Sequence, residues 1–112
     1  MKRGEIWWAS MDGPVGSEPG YRRPVVIVSS NDFNNSLIQT IVAVTVTSNL
    51  RLLEAPGNFK LTKAKSGLTK DSVVNISQVV TLDKSFLTEK SGDLSLKQIQ
   101  FLNEGLKLVL DL

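Results

Sequence analysis

Arg23-Pro24-Val25-Val26-Ile27-Val28-Ser29 decides the architecture. It is nearly all apolar and too short for a helix, so it reads as a strand buried on both faces. Proline at its start sits where a strand tolerates a missing donor. Upstream, Glu5-Ile6-Trp7-Trp8-Ala9-Ser10 reads as an aromatic, β-branched strand. Between the two, Asp12–Arg22 holds three glycines and two prolines in eleven residues. That is a long loop for a small chain, and long ordered loops are often functional. Downstream, Asn31–Asn35 has turn chemistry, and Gln39–Thr47 reads as a third strand ending in the alternation Val44, Thr45, Val46, Thr47.

Beyond it, Asn49–Gly57 reads as a loop, Phe59–Leu61 as a short strand and Lys63–Asp71 as a lysine-rich loop. Ser72–Ile76 and Gln78–Thr81 form one or two strands, and Lys84–Leu87 a single helical turn. The clearest helix starts near Ser95. Ser95 with Gln98 fits a capping box, and Leu94 with Ile99 fits a hydrophobic staple. Ile99, Leu102, Leu106 and Val109 then give one apolar face, and Gly105 within it suits a close approach. Five to seven short strands and one terminal amphipathic helix predict a mainly β fold, a small, curled, mostly antiparallel barrel.

The 112 residues suit a single domain spanning 1–112, with 41% hydrophobic and 21% charged residues. No apolar run approaches the ~20 residues of a membrane helix, and charged residues precede any apolar stretch at the N-terminus. The expectation is a cytoplasmic protein with no membrane association. Cysteine and histidine are both absent. That removes disulfides, thiolate nucleophiles, His-based acid–base catalysis and most zinc sites, so no metal and no cofactor is expected. Chemistry is left to carboxylates, hydroxyls, Lys, Arg, the tyrosine and the backbone. The net charge is only +2, but residues 1–70 hold nine Lys/Arg against five Asp/Glu, and 71–112 hold four against six. The positive excess is therefore confined to the first two thirds, where it could attract a polyanion.

Several stretches, in order and spacing, give the chain its resemblance. They are Arg3-Gly4-Glu5-Ile6-Trp7, Gly16-Ser17-Glu18 followed by Arg23-Pro24-Val25, the hydroxyl pair Thr47-Ser48, and Gly67–Val74 followed by Gln78 and Thr81-Leu82-Asp83-Lys84. Over nearly its whole length the chain resembles the MazF/PemK family, the mRNA interferase toxins of type II toxin–antitoxin pairs. The resemblance implies an SH3-like barrel of the plasmid-maintenance toxin (CcdB/Kid/MazF) type. It also implies a homodimer that cuts single-stranded RNA, and a cognate antitoxin whose acidic, disordered tail blocks the substrate groove.

The chemistry makes sense of these residues independently. RNA can be cut without a metal when its own 2′-OH attacks the adjacent phosphate. The protein must align that hydroxyl, take its proton and stabilise charge on phosphorus. A guanidinium, planar and bidentate toward phosphate oxygens, is the natural stabiliser, and Arg23 sits where the loop meets a rigid strand. Thr47 and Ser48 end another strand and offer hydroxyls to hold a phosphate oxygen or steer the 2′-OH. Glu18 is the nearest carboxylate on the loop, a candidate proton acceptor or simply a partner for Arg22 or Arg23. Ser17 and Gln78 come with the resemblance as RNA contacts. Lys60, Lys63, Lys65 and Lys70, with Arg51, form a basic set read either as phosphate contacts or as solvated loop residues. Trp7 and Trp8 must face opposite sides of their strand, one core, the other free to meet a second subunit, an antitoxin segment or a stacked base.

The chain also departs from the family. Many members carry an acidic residue before the Gln and Arg two residues after it, where Ser77 and Val80 stand here. The Arg/Asp pair given acid and base work in some members falls on Asn75 and Ser77. A binding toxin of the same fold that inhibits a partner such as a topoisomerase, or a catalytically weakened toxin, are the competing readings.

Overall fold

The computed structural model describes residues 1–11 and 22–112. Among the described residues six strands run β1 (Glu5–Ser10), β2 (Arg22–Ile27), β3 (Thr40–Thr47), β4 (Phe59–Leu61), β5 (Ser72–Asp83) and β6 (Leu87–Asp93). They form one sheet in the order β4-β5-β3-β2-β1-β6, with every pairing antiparallel. Between the strands lie the single turns α1 (Asn31–Asn34) and α2 (Lys63–Ser66). The one long helix, α3 (Leu96–Leu110), closes the chain. No helix among the described residues is long and apolar enough to cross a membrane.

The strand expected over Arg23–Ser29 is observed as β2, starting one residue earlier and ending two earlier, with Val25, Val26 and Ile27 fully buried. Its central place in the sheet explains the unbroken apolar run: Val26 packs on one face with Ile6, Val44, Val46 and Val74, and Val25 and Ile27 pack on the other with Ala9, Ile41 and Ala43. Helix α3 covers the first face with Leu102 and Leu106. Each of those leucines contributes about 1.5–3 kcal/mol by burial. The capping box forms as expected, with Ser95 Oγ accepting from Gln98 N and Ser95 N donating to Gln98 Oε1 at 2.9 Å. Val109 lies beyond the sheet and is exposed, because the buried face ends at Leu106.

The ends of the sheet meet through α2 rather than through a strand ladder. Ser91 Oγ in β6 donates to Ser66 C=O at 3.0 Å. Gly67 caps α2 at φ +77°, where a Cβ would strike the Ser91 backbone. The expected barrel is thus a curled sheet whose last gap a helical turn fills.

Several local expectations are corrected. Asn31–Asn34 is a helical turn, because Ser30 Oγ caps Phe33 N. Residues Leu50–Glu54 form a 3₁₀ turn capped by Asn49, and Lys63–Ser66 is helical. The one or two strands expected over 72–81 are one strand, β5, bent by a bulge. Its partners on β3 jump from Val44↔Val79 to Thr45↔Asn75. Strand β6 was not expected at all. Its residues Thr88, Glu89 and Lys90 are polar and exposed, as on an edge strand, and carry no alternating apolar signal.

Candidate active site

β2 and β3 are paired only over Val25↔Thr45 to Ile27↔Ala43. Arg23 pairs with Ala9 of β1, on the sheet face opposite Trp8. Beyond Val25 the β2–β3 ladder stops, and the two strand ends flank a cleft of about 270 Å³. Arg22, Arg23 and Pro24 line it from β2, and Val46, Thr47 and Ser48 from the end of β3. Trp8 enters from β1, and Leu68, Thr69, Lys70 and Ser72 come from the segment leading into β5. Arg23 is half-buried and Ser48 exposed, so the polar groups meet solvent while Val46 and Leu68 back them with core.

Thr47 Oγ1 accepts from Asn49 N at 3.2 Å, an ST turn that fixes its rotamer at the strand end. The preceding inward hydroxyl, Thr45, is fully buried and donates to Gln78 Oε1 at 2.6 Å. Asn75 Nδ2 reaches the same oxygen at 3.4 Å, and Asn58 Nδ2 reaches Asn75 Oδ1 at 3.3 Å. Asn58 Oδ1 in turn accepts from Ile76 N at 2.9 Å. This amide chain satisfies the backbone opened by the β5 bulge, and it carries no charge.

Of the residues singled out in the sequence, the cleft brings together Arg23, Thr47, Ser48, Lys70 and Trp8. Gln78 belongs to the amide chain beside it. Lys60 pairs with Asp71 at 3.8 Å, while Lys63 and Lys65 ride on α2, Lys65 beside Asp93 and Ser95 in a separate hollow. Of the basic set only Lys70 lines the cleft, and Lys60 and Lys63 meet at Asp71 beside it in sequence. Ser17 and Glu18 lie outside the described residues. The tryptophans are also corrected: neither is fully core. Both are half-buried, Trp8 against the α3-side cluster and Trp7 against the opposite one. Trp7 Nε1 donates to Glu5 Oε1 at 3.1 Å.

Sequence reasoning missed Arg22 as a lining residue. Its guanidinium lies 5.1 Å from the Trp8 ring centroid. No sequence signal placed it there, because only the register, with Ser10↔Arg22 and Trp8↔Pro24, puts Arg22 and Trp8 on one face. Thr69 and Ser72 had no signal either, as only the curl of the sheet brings them to β2.

Residues 2–110 match the family described as the PemK-like, MazF-like toxin of type II toxin–antitoxin systems. Endoribonuclease MazF2 of Mycobacterium bovis is 40% identical over 112 residues, covering 100% of this chain and 98% of its own. Endoribonuclease EndoA of Bacillus subtilis is 30% identical, covering 100% and 96%. Among solved structures, a mycobacterial endoribonuclease in complex with its cognate antitoxin superposes with a TM-score of 0.80 at 25% identity, covering 100% of this chain and 96% of that one. The Mycobacterium tuberculosis toxin MazF-mt6 shares the fold with a TM-score of 0.80 at 22% identity, over 96% and 97% of the two chains.

Proposed function

Because the chain belongs to the PemK-like, MazF-like toxins of type II toxin–antitoxin systems, we propose that it is a cytoplasmic endoribonuclease that cuts single-stranded mRNA without a metal. The 2′-OH attacks the adjacent phosphorus and the bond to the 5′-oxygen breaks, leaving a 2′,3′-cyclic phosphate and a 5′-OH. Arg23 stabilises the charge that builds on the phosphoryl oxygens, and Thr47 and Ser48 hold an oxygen or align the 2′-OH. Arg23 does not serve as acid or base, because a guanidinium does not deprotonate in proteins. Glu18 is the candidate acceptor for the 2′-OH proton, and the departing 5′-oxygen takes its proton from water. The observation that carries the reading is the common cleft of Arg23, Thr47, Ser48 and Lys70 between two strand ends.

Asn75 and Ser77 stand where some members place an Arg/Asp acid–base pair, and Asn75 here belongs to a neutral amide chain. The reaction proposed for this chain makes no use of those positions. A homodimer and an antitoxin with an acidic tail complete the proposal. The tail suits a cleft bearing Arg23 and Lys70 for the same reason RNA does, since both are extended anionic chains. The test is incubation of the purified protein with mixed-sequence RNA in EDTA. Cutting that persists in EDTA and is lost in Arg23→Ala supports the reading. Loss of cutting in EDTA overturns the metal-free chemistry, and growth arrest that survives Arg23→Ala favours a binding toxin.

A further inference from the structure

Beside the hydroxyls of the cleft stands a planar stack that the cleavage chemistry leaves unused. Trp8 lines the cleft from β1, and the Arg22 guanidinium covers one face of its ring at 5.1 Å. The arginine is held there from β6. Its Nη2 donates to Thr88 Oγ1 at 3.3 Å and lies 3.5 Å from Glu89 Oε2, while Thr88 Oγ1 donates to the Trp8 carbonyl at 3.2 Å. The register directs the two adjacent arginines oppositely. Arg22 shares a face with Trp8, whereas Arg23 pairs with Ala9 on the other.

The two arginines are therefore fitted to different parts of one nucleotide. Glu89 already opposes the charge of Arg22, which makes Arg22 a poor second phosphate clamp but leaves its flat guanidinium available for stacking. We infer that Trp8 and Arg22 form a base-stacking platform for a nucleotide next to the cut bond, placed so that the diester reaches Arg23 and Thr47. The inference rests on the RNA-cleaving reading and adds where the base goes. Stacking reads a π-face and no hydrogen-bonding edge, so this subsite accepts any base.

A purely structural role would have Arg22 merely shielding the apolar ring from water. The two roles separate with an RNA that the protein cuts, made uncleavable by 2′-deoxy substitution at the cut nucleotide and carrying an abasic residue at each flanking position in turn. With the native protein, one abasic position weakens binding about 10- to 100-fold. Trp8→Ala weakens binding of the intact RNA similarly and adds little to that abasic RNA, because both changes remove one contact. Trp8→Phe retains most of the affinity. In a Trp7→Phe background, binding of the intact RNA quenches tryptophan emission and binding of that abasic RNA does not. If no abasic position matters, or if the Trp8→Ala and abasic losses add in full, the platform is overturned while the nuclease reading stands. If the native protein neither binds nor cuts RNA, both fall. The abasic series uses native protein, so it decides the question even if Trp8→Ala fails to fold.

Discussion

At Arg23 and Thr47 the proposed chemistry depends on side-chain shape as much as on charge. A lysine at position 23 keeps the positive charge but loses the planar fork that grips two phosphoryl oxygens. Arg23→Ala is expected to lower kcat by about 10²–10³-fold, the usual cost of one oxyanion donor, with Arg23→Lys between it and the native protein. Single-turnover cleavage of a labelled RNA measures both, and a fully active Arg23→Lys would show that charge alone suffices. For Thr47, whose Oγ1 already accepts from Asn49 N, the useful contrast is Thr47→Ser against Thr47→Val. Serine should retain most activity and the isosteric valine should lose about tenfold or more; equal rates for the two would remove Thr47 from the chemistry. Arg23, Thr47 and Ser48 were legible in the sequence because each sits at the end of a strand whose pattern announces it. Arg22 was not singled out because its place over Trp8 depends on strand register. The α2 turn was not singled out because the lysine-rich composition of 63–71 disguised it as loop.

The elements show the same division between local pattern and long-range consequence. α3 was legible to its capping box, since Ser95, Gln98 and the spacing of Leu102 and Leu106 are local signals. β5 was legible as one or two strands because the bulge interrupts its alternation, and β6 was hidden because an exposed edge needs no apolar residues. Gly105 links the two levels. A Cβ there would lie 2.7 Å from the Gly57 carbonyl oxygen and 3.1 Å from Ile76 Cγ1, so α3 seats against the 50–57 segment only through bare backbone. On an exposed helix Gly→Ala gains about 1 kcal/mol in propensity. Here overpacking against backbone costs about 1–3 kcal/mol and outweighs it. Gly105→Ala is therefore expected to destabilise the fold by up to about 2 kcal/mol net, read as a lowered urea midpoint at unchanged m-value. A raised midpoint would mean that the 50–57 segment yields freely.

Across the whole molecule the N-terminus and the edge strand β6 must both be tied to β1, and one carboxylate gathers both attachments. Glu5, largely buried at the start of β1, accepts from Lys2 N at 2.7 Å and Trp7 Nε1 at 3.1 Å, and pairs with Lys90 of β6 at 3.0 Å. Burial pushes its carboxyl up, but the Lys2 amide, the Lys90 ammonium and the Trp7 indole together outweigh it and hold the group below the ordinary 4.5. A carboxyl lowered in the folded state binds its proton less readily there than in the unfolded chain. Its contribution is therefore full above about pH 4.5 and is lost as the pH falls through the lower folded value. Lys90 is shifted the other way, raised above 10.5 by its bonds to Glu5 and Asp93, so its share persists below that pH and disappears only as the pH climbs past the raised value. The clasp thus gives a plateau across neutral pH with an acid edge set by Glu5. Glu5→Gln should cost about 1–3 kcal/mol on the plateau, the range for a hydrogen bond to a charged group. Asp83, also lowered through Ser85, titrates in native protein and variant alike and cancels in their difference. Urea unfolding of both proteins at pH 7, 4.5 and 3 should show a gap that is wide at neutrality and narrows at pH 3. A gap of constant width would mean that Glu5 contributes by packing rather than by charge.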